Sequence, residues 1–177
     1  MENKKKTEFL PICIAVMTVS DTRSLADDRS GDALVERLET AGHVLADRAI
    51  IKDEVNLIVD KLREWIDNRE IDAVITTGGT GVTGRDVTPE ALARVQEKDI
   101  PGFGELFRWI SYQKIKTSTI QSRACAGVAN STYIFVLPGS TEACKDGWDE
   151  ILKDQLDIRH KPCNLVELMP RLNEHKV

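Results

Sequence analysis

The chain has 177 residues, of which 41% are hydrophobic and 30% are charged, and its formal net charge is −5. These values predict one folded domain over residues 1–177, with a loose start at 1–10 and a surface tail at 157–177. An acidic chain is a poor general binder of nucleic acid, because that affinity depends on neutralising phosphate charge. Small anions remain open as ligands, since a few backbone N–H groups or a metal ion can bind them locally.

Hydropathy and cysteine content exclude several other classes of protein. No apolar run approaches the roughly 20 residues that span a bilayer, and no apolar segment of signal-peptide length follows the first lysines. We therefore expect a cytoplasmic protein without a membrane partner. The four cysteines form no C-x-x-C pair, so we expect neither a zinc site nor a disulfide framework.

Strand and helix patterns alternate along the chain. A continuous apolar run, typical of a strand buried on both faces, lies at 12–19, and further strands are predicted at 44–51, 71–77 and 132–137. This alternation predicts an α/β fold with three layers, α/β/α, around a mostly parallel sheet.

Helices are predicted between these strands from apolar spacing and capping residues. The helix after the first strand is expected to begin at a Ser30 cap, and the next helix at an Asp53 cap. Further helices are expected from Thr88, over 102–116, over 118–126, and after 138–140.

Polar or glycine-rich sequences follow three of the four predicted strands. In a parallel sheet, ligands bind outside the carboxyl ends of the strands. These strand ends therefore predict one binding site, built from Ser20, Asp21, Thr77, Gly78, Gly79, Thr80, Gly81, Pro138, Gly139 and Ser140.

The glycine segment at 77–81 predicts a phosphorylated ligand. Glycine permits close approach of the backbone, and successive N–H groups can form a nest for an anion. The segment matches neither the P-loop nor the G-x-G-x-x-G dinucleotide pattern. A simple capping turn remains an alternative for 138–140, and a flavodoxin-like metabolic enzyme also fits these features.

Two carboxylates are candidates for the chemistry of this site. Asp86 follows the glycine segment closely and stands next to Arg85. Asp53 follows the second predicted strand, where it is either a helix cap or a site residue.

At this point the motifs resemble a known family. Segments 76–81 and 85–91, together with Ser122-Arg123, 130–132 and 138–140, resemble the molybdopterin-binding family that includes MogA, MoaB and the G domain of gephyrin. The resemblance covers residues 12–164, and segments 102–108 and 117–119 resemble the MoaB branch.

The resemblance implies a reaction and roles for the matching residues. Active members adenylylate molybdopterin with Mg-ATP: the terminal phosphate of molybdopterin attacks the α-phosphate of ATP, and pyrophosphate leaves. By this resemblance Asp86 would hold Mg²⁺ or orient the phosphates, and Asp53 would align the reacting ends. Arg123 and Ser131 are further candidates for binding the substrate.

The MoaB branch also contains members with an altered acidic motif. Because this chain keeps segment 85–90 and Asp53, we predict catalytic competence; the alternative is a non-catalytic carrier of molybdopterin.

Family members form trimers or hexamers, so a homo-oligomer is expected, and the enzyme that inserts molybdate is an expected partner. One helix carries four large apolar residues that would serve either an oligomer contact or the core: Phe103, Phe107, Trp109 and Ile110.

Overall fold

The computed structural model describes residues 7–176 and contains a six-stranded sheet in the order β2-β1-β3-β6-β5-β4. The strands are β1 (Cys13–Val19), β2 (Val44–Ile51), β3 (Ala73–Thr77), β4 (Lys98–Asp99), β5 (Cys125–Ala129) and β6 (Thr132–Leu137). Neighbours among β2, β1, β3 and β6 pair in parallel, whereas β5 is antiparallel to both β6 and β4. The prediction of a mostly parallel sheet is confirmed.

Within residues 7–176, five helices accompany the sheet: α1 (Arg29–Thr40), α2 (Val55–Asp67), α3 (Thr88–Ala93), α4 (Pro101–Ile115) and α5 (Thr141–Gly147). Helix α5 continues through a π turn, Trp148–Leu152, and a final α turn, Lys153–Gln155. Short 3₁₀ segments occupy Lys116–Gln121, Val166–Arg171 and Glu174–Lys176. Between residues 7 and 176, every helix is too short or too polar to span a bilayer.

The helices cover both faces of the sheet because the side chains of each strand alternate between the two faces. On one face, Ile14 and Val16 of β1 share a buried cluster with residues of α1, α4 and α5. On the other face, Ala15 and Met17 share a second cluster with residues of α2 and α3. The three-layer α/β/α prediction is therefore confirmed.

Both ends of the described chain pack against this framework. In the tail, Val166 is buried in the first cluster and Met169 packs against it. At the start, Phe9 lies with its ring centroid 5.1 Å from that of His43. The predicted loose segment 1–10 lies largely outside the described residues, which begin at 7.

The helix expected over 118–126 is wrong. The chain forms a 3₁₀ segment only to Gln121 and then enters β5, which pairs with β6 through a two-residue turn. Both turn residues, Asn130 and Ser131, have positive φ (46° and 74°), as a type I′ hairpin turn requires. Ser131 therefore lies at the start of β6, roughly 20 Å along the strand from its carboxyl end. Its expected role in the ligand site is contradicted by this position.

The predicted caps of the first two helices are also wrong. Asp28, and not Ser30, caps α1, because its carboxylate accepts the Gly31 amide at 3.0 Å. The cap position of α2 is Glu54, which makes no side-chain capping bond. The Asp53 amide instead donates to the carboxylate of Asp21 at 3.2 Å.

The Asp28 cap is a fully buried carboxylate in a polar cluster. It accepts hydrogen bonds from the Thr18 hydroxyl at 2.7 Å and from Arg48 at 2.9 Å. Burial works to raise the pKa of Asp28, but the bonds from Arg48, Thr18 and Gly31 outweigh it and leave the pKa below its ordinary value. The cluster ties α1 to β1 and β2 beneath the carboxyl edge of the sheet.

We expect Asp28→Asn to lower the free energy of unfolding by about 2–3 kcal/mol at pH 7, because it replaces a buried carboxylate that accepts bonds from Arg48 and Thr18 with a neutral amide. Since the folded pKa is lowered, this contribution is present above the unfolded pKa of about 3.9 and is lost as pH falls through the folded pKa. Urea unfolding between pH 7 and pH 3 measures both effects.

The matched control is Asp32→Asn, because Asp32 pairs with the same Arg48 at 2.7 Å but is 59% exposed. Its loss should cost less than about 1 kcal/mol. Equal losses for the two variants would contradict a special role for the buried carboxylate.

Candidate functional site

The carboxyl edge of the parallel strands opens into a cleft of about 440 Å³. Most residues predicted for the site line this cleft: Ser20, Thr77, Gly78, Gly79, Thr80, Gly81, Asp86, Pro138, Gly139 and Ser140. They come from the ends of β1, β3 and β6, which the parallel pairing brings to one edge. Four other predicted residues lie elsewhere: Asp21, Asp53, Arg123 and Ser131.

The turn after β3 brings the main chain of Gly78 against the end of β1. Gly78 has a φ of +104°, and a Cβ on it would stand 2.2 Å from the Val19 carbonyl oxygen. Its amide donates to the Leu137 carbonyl at the end of β6, at 3.0 Å. Only glycine allows this combination of positive φ and close approach.

Thr88, the first residue of α3, holds the glycine turn from below. Its buried hydroxyl donates to the Gly78 carbonyl at 2.8 Å, and its amide donates to the Gly79 carbonyl at 3.0 Å. The amides of Gly79 and Thr80 have no acceptor among residues 7–176. Two successive amides beside the cleft suit a phosphate group, because they can donate to its oxygens without a charged side chain.

Asp86 provides the only carboxylate among the described cleft-lining residues. Its Oδ2 accepts the Thr83 hydroxyl at 2.6 Å and the Thr83 amide at 2.9 Å. The Thr83 hydroxyl, followed by the Thr83 and Gly81 amides, lowers the pKa of Asp86 below its ordinary value. The carboxylate is therefore ionised at neutral pH and fixed in orientation.

Asp53 lies on the outer side of the glycine turn, away from the cleft lining. Its Oδ1 would be 3.2 Å from a Cβ on Gly79, so the two are close neighbours. Burial, and next the charge of Asp21, raises the pKa of Asp53 above its ordinary value. Asp53 is therefore a neighbour of the glycine turn, but of the two predicted carboxylates only Asp86 lines the cleft.

Asp21 forms an ion pair with Arg85 at the rim. Two nitrogens of Arg85 contact the Asp21 carboxylate, at 2.7 and 3.0 Å. The pair links the loop after β1 to the loop after β3, and both side chains are exposed. Asp21 is thus a rim residue whose charge is already partnered.

Arg23 is a cleft residue that the sequence analysis missed, and it is the only cationic side chain among the described lining residues. Its guanidinium donates to the Ser30 hydroxyl at 3.0 Å and to the Gly139 carbonyl at 3.2 Å, and lies 3.6 Å from the Asp28 carboxylate. These bonds hold it while a third of the side chain stays exposed. Its position directly after a strand end was the available signal.

The far wall of the cleft was also missed by sequence reasoning. It comes from α4 and the following 3₁₀ segment and consists of Phe107, Ser111, Ile115, Ser118, Gln121 and Ser122. These side chains add hydroxyl, amide and apolar surface opposite the strand ends. Nothing in their spacing marks them as site residues, because they reach the cleft only when α4 packs across the sheet.

The cleft combines amides, hydroxyls, one guanidinium and one oriented carboxylate in an otherwise uncharged lining. Amides and the guanidinium favour a phosphate group, and the mixed polar and apolar wall suits an attached planar ring. A carboxylate beside a phosphate site is repulsive by itself, so Asp86 is suited to a cation bound together with that phosphate. The arrangement is therefore suited to a phosphorylated organic ligand.

We expect Gly78→Ala to destabilise the fold by more than about 2 kcal/mol and to abolish ligand binding, because the methyl group would collide with the Val19 carbonyl. Gly84→Ala is the matched control, because a Cβ on Gly84 meets no atom within 4 Å. It should change stability by less than about 0.5 kcal/mol. Thermal unfolding and calorimetric titration with a phosphorylated ligand test both variants; equal behaviour would contradict the close approach.

Comparisons with known proteins identify the family of this chain. A family model described as a probable molybdopterin binding domain matches residues 15–158. Molybdenum cofactor biosynthesis protein B of Escherichia coli (strain K12) is 48% identical over 158 residues, which cover 89% of this chain and 93% of the relative.

Solved structures show the same fold. A crystal structure of molybdenum cofactor biosynthesis protein B superposes with a TM-score of 0.84 at 34% identity, covering 93% of this chain and 98% of the other. The tungsten cofactor synthesizing protein MoaB from Pyrococcus furiosus superposes with a TM-score of 0.73 at 33% identity, covering 81% and 92%. The chain therefore belongs to the molybdopterin-binding-domain family that its motifs resemble.

Proposed function

We propose that this protein acts in cytoplasmic molybdenum cofactor biosynthesis by binding molybdopterin and adenylylating it with Mg-ATP. A terminal phosphate oxygen of molybdopterin would attack the α-phosphorus of ATP. A new phosphoanhydride bond would form as the bond from that phosphorus to the β-bridging oxygen breaks, and pyrophosphate would leave. The observation that carries this proposal is the ionised Asp86 carboxylate in the same cleft as the free amides of Gly79 and Thr80.

The protein's own residues would act by orientation and charge. The two amides and Arg23 would bind phosphate oxygens and offset the repulsion between two anionic substrates. The wall from α4 would hold the rings and exclude water from the reacting ends. Little covalent chemistry falls to the protein, since no protein atom needs to form a bond with either substrate.

A magnesium ion fits this site only as a companion of the phosphates. No group of three or more His, Cys, Asp or Glu side chains within residues 7–176 could hold a metal by itself. Mg²⁺ commonly binds through one or two carboxylates together with substrate phosphates, so Asp86 is a sufficient protein ligand. When bound, the ion would neutralise phosphate charge.

A non-catalytic molybdopterin carrier is the second candidate. One observation favours it: Asp53, expected to align the reacting ends, lies behind the glycine turn and outside the cleft lining. A carrier needs the amides and the ring wall but neither carboxylate. The proposed adenylylation therefore depends on Asp86 alone among the two predicted carboxylates.

The partners proposed beyond the substrates are further copies of this chain and the enzyme that inserts molybdate. Phe103 and Phe107 are buried in the core of the chain, so they are not available for an oligomer contact. Trp109 is 65% exposed and Leu106 is 41% exposed on the same helix. We therefore assign the proposed homo-oligomer contact to this outer face of α4.

Purified protein with molybdopterin, ATP and Mg²⁺ should release pyrophosphate, and Asp86→Ala should lower the rate by about 100-fold or more, because the cation loses its protein ligand. Molybdopterin binding should stay within about threefold, because the amides remain. A coupled phosphate assay and fluorescence titration measure the two quantities.

Asp60→Asn on the outer face of α2 is the control for the loss of one surface charge, and it should behave like the unmutated protein. Binding without pyrophosphate release in the unmutated protein would contradict the adenylylation proposal and support the carrier.

Arg23→Met should weaken molybdopterin binding by about tenfold, because a charge-assisted hydrogen bond to phosphate is lost. The affinity of the variant should also depend less on salt concentration. Arg29→Met is the matched control, since Arg29 is an exposed arginine at the start of α1 that does not line the cleft. Calorimetry at two salt concentrations tests the difference, and equal affinities for both variants would show that Arg23 binds no phosphate.

A further inference from the structure

We propose that Arg123 is a positioning residue: it fastens the loop that carries Asp86 to the opposite wall of the cleft and contacts no ligand itself. This assignment replaces the predicted role in substrate binding, because Arg123 does not line the cleft. It rests on the proposed function for its kinetic test, but its structural test is independent of that function.

The guanidinium of Arg123 bonds to three separate points around the glycine turn. Its Nε donates to the Gly81 carbonyl at 2.7 Å, and its Nη2 donates to the Asp86 carbonyl at 2.7 Å. Its Nη1 forms an ion pair with the Glu90 carboxylate in the first turn of α3. Because the guanidinium is planar and rigid, these three bonds fix the two ends of loop 81–86 relative to α3.

The main chain of Arg123 completes the connection to the other wall. Its amide donates to the Thr80 carbonyl at 3.0 Å. The preceding residue, Ser122, lines the cleft at the end of the 3₁₀ segment. Moving the Asp86 loop away from this wall would therefore break the bonds of Arg123, both from its main chain and from its side chain.

Apart from Arg123, the loop is held weakly: its other side-chain ion pair to the rest of the protein joins Arg85 to Asp21, and both of those side chains are exposed. Residues 82–85 are exposed, and Val82 exposes 68% of its surface. The contacts between Thr83 and Asp86 are internal to the loop, so they shape it without attaching it. Because the loop buries little apolar surface and an exposed ion pair such as Arg85–Asp21 contributes little, we assign the position of the Asp86 carboxylate mainly to the polar contacts of Arg123.

Glu90 makes Arg123 a poor candidate for a phosphate-binding cation. The Arg123 bond lowers the pKa of Glu90, so the pair is fully charged at neutral pH and has no net charge. The guanidinium points its donors at protein oxygens. Its contribution to the cleft is therefore geometric, in contrast to that of Arg23.

The structural test is hydrogen exchange of the amides in 80–90, measured by mass spectrometry on the full chain. Arg123→Met should speed their exchange by about tenfold, because bonds of a charged donor are lost. Arg123→Lys should fall in between, since an ammonium group cannot reach all three acceptors together. If Arg123→Met does not fold, the exchange measured for Arg123→Lys decides the test instead.

Arg108→Met is the matched control. The side chain of Arg108 donates to the carbonyl of Ala124, the residue after Arg123, at 2.8 Å. It makes no hydrogen bond to residues 80–90. The Arg108→Met substitution removes an equivalent arginine–carbonyl bond and should leave hydrogen exchange in residues 80–90 unchanged. If Arg123→Met and Arg108→Met give the same exchange in 80–90, the inference is wrong.

The kinetic test separates positioning from substrate contact. Arg123→Met should lower kcat by roughly 100-fold with KM for molybdopterin nearly unchanged, because a small misplacement of a site group has effects of this size. Millimolar guanidinium added to Arg123→Ala should restore part of kcat by occupying the vacated position. A rise in KM with unchanged kcat would instead make Arg123 a substrate-binding residue and overturn the proposal.

The two proposals fail in different ways. Absence of pyrophosphate release from the unmutated protein would sink the adenylylation proposal, and the exchange comparison in 80–90 would still decide the role of Arg123. Normal turnover with unchanged exchange in Arg123→Met would sink the role of Arg123 alone.

Discussion

The close approach of the Gly78 main chain to the end of β1 is the constraint on which the site depends. A Cβ at this position would stand 2.2 Å from the Val19 carbonyl oxygen, and the Gly78 amide bonds to Leu137 of β6. Three strand ends thus meet through main-chain atoms alone. The cleft, the two unpaired amides and the position of the following loop all result from this meeting, because a larger residue would separate β1 from the turn.

Attraction of an anionic ligand to the cleft must come from groups in the cleft itself, because the chain as a whole carries a net charge of −5. Two unit charges 4 Å apart repel by about 1 kcal/mol in water and by about 4 kcal/mol at an effective dielectric near 20. The negative net charge of the chain would add to the repulsion that anionic substrates experience. The lining instead combines backbone amides with Arg23, whose guanidinium lies 3.6 Å from the buried Asp28 carboxylate, itself hydrogen-bonded to Arg48. Asp86 and Arg23 are both held in place by hydrogen bonds, so little reorganisation is needed when a ligand binds.

The arginines around the site have distinct physical roles that their charge alone does not reveal. Arg23 is exposed to the cleft, Arg85 is paired with Asp21 at the rim, and Arg123 is bonded to carbonyls behind the loop. What separates them is whether the guanidinium lines the cleft. All three guanidinium groups bond to protein oxygens, but only that of Arg23 also lines the cleft, where its remaining donors can reach a ligand.

Sequence determined the layers, the four parallel strands and the gathering of strand-end residues, because apolar runs and glycine turns are local signals whose geometry follows from parallel pairing. It could not determine β5, since a hairpin that depends on positive φ at Asn130 and Ser131 looks like any polar break. The same hairpin carries Ser131 to the far edge of the sheet. Only the tertiary structure decided that Asp86 faces the cleft while Asp53 lies behind the turn, and that α4 supplies the far wall, because these depend on packing between segments distant in the chain.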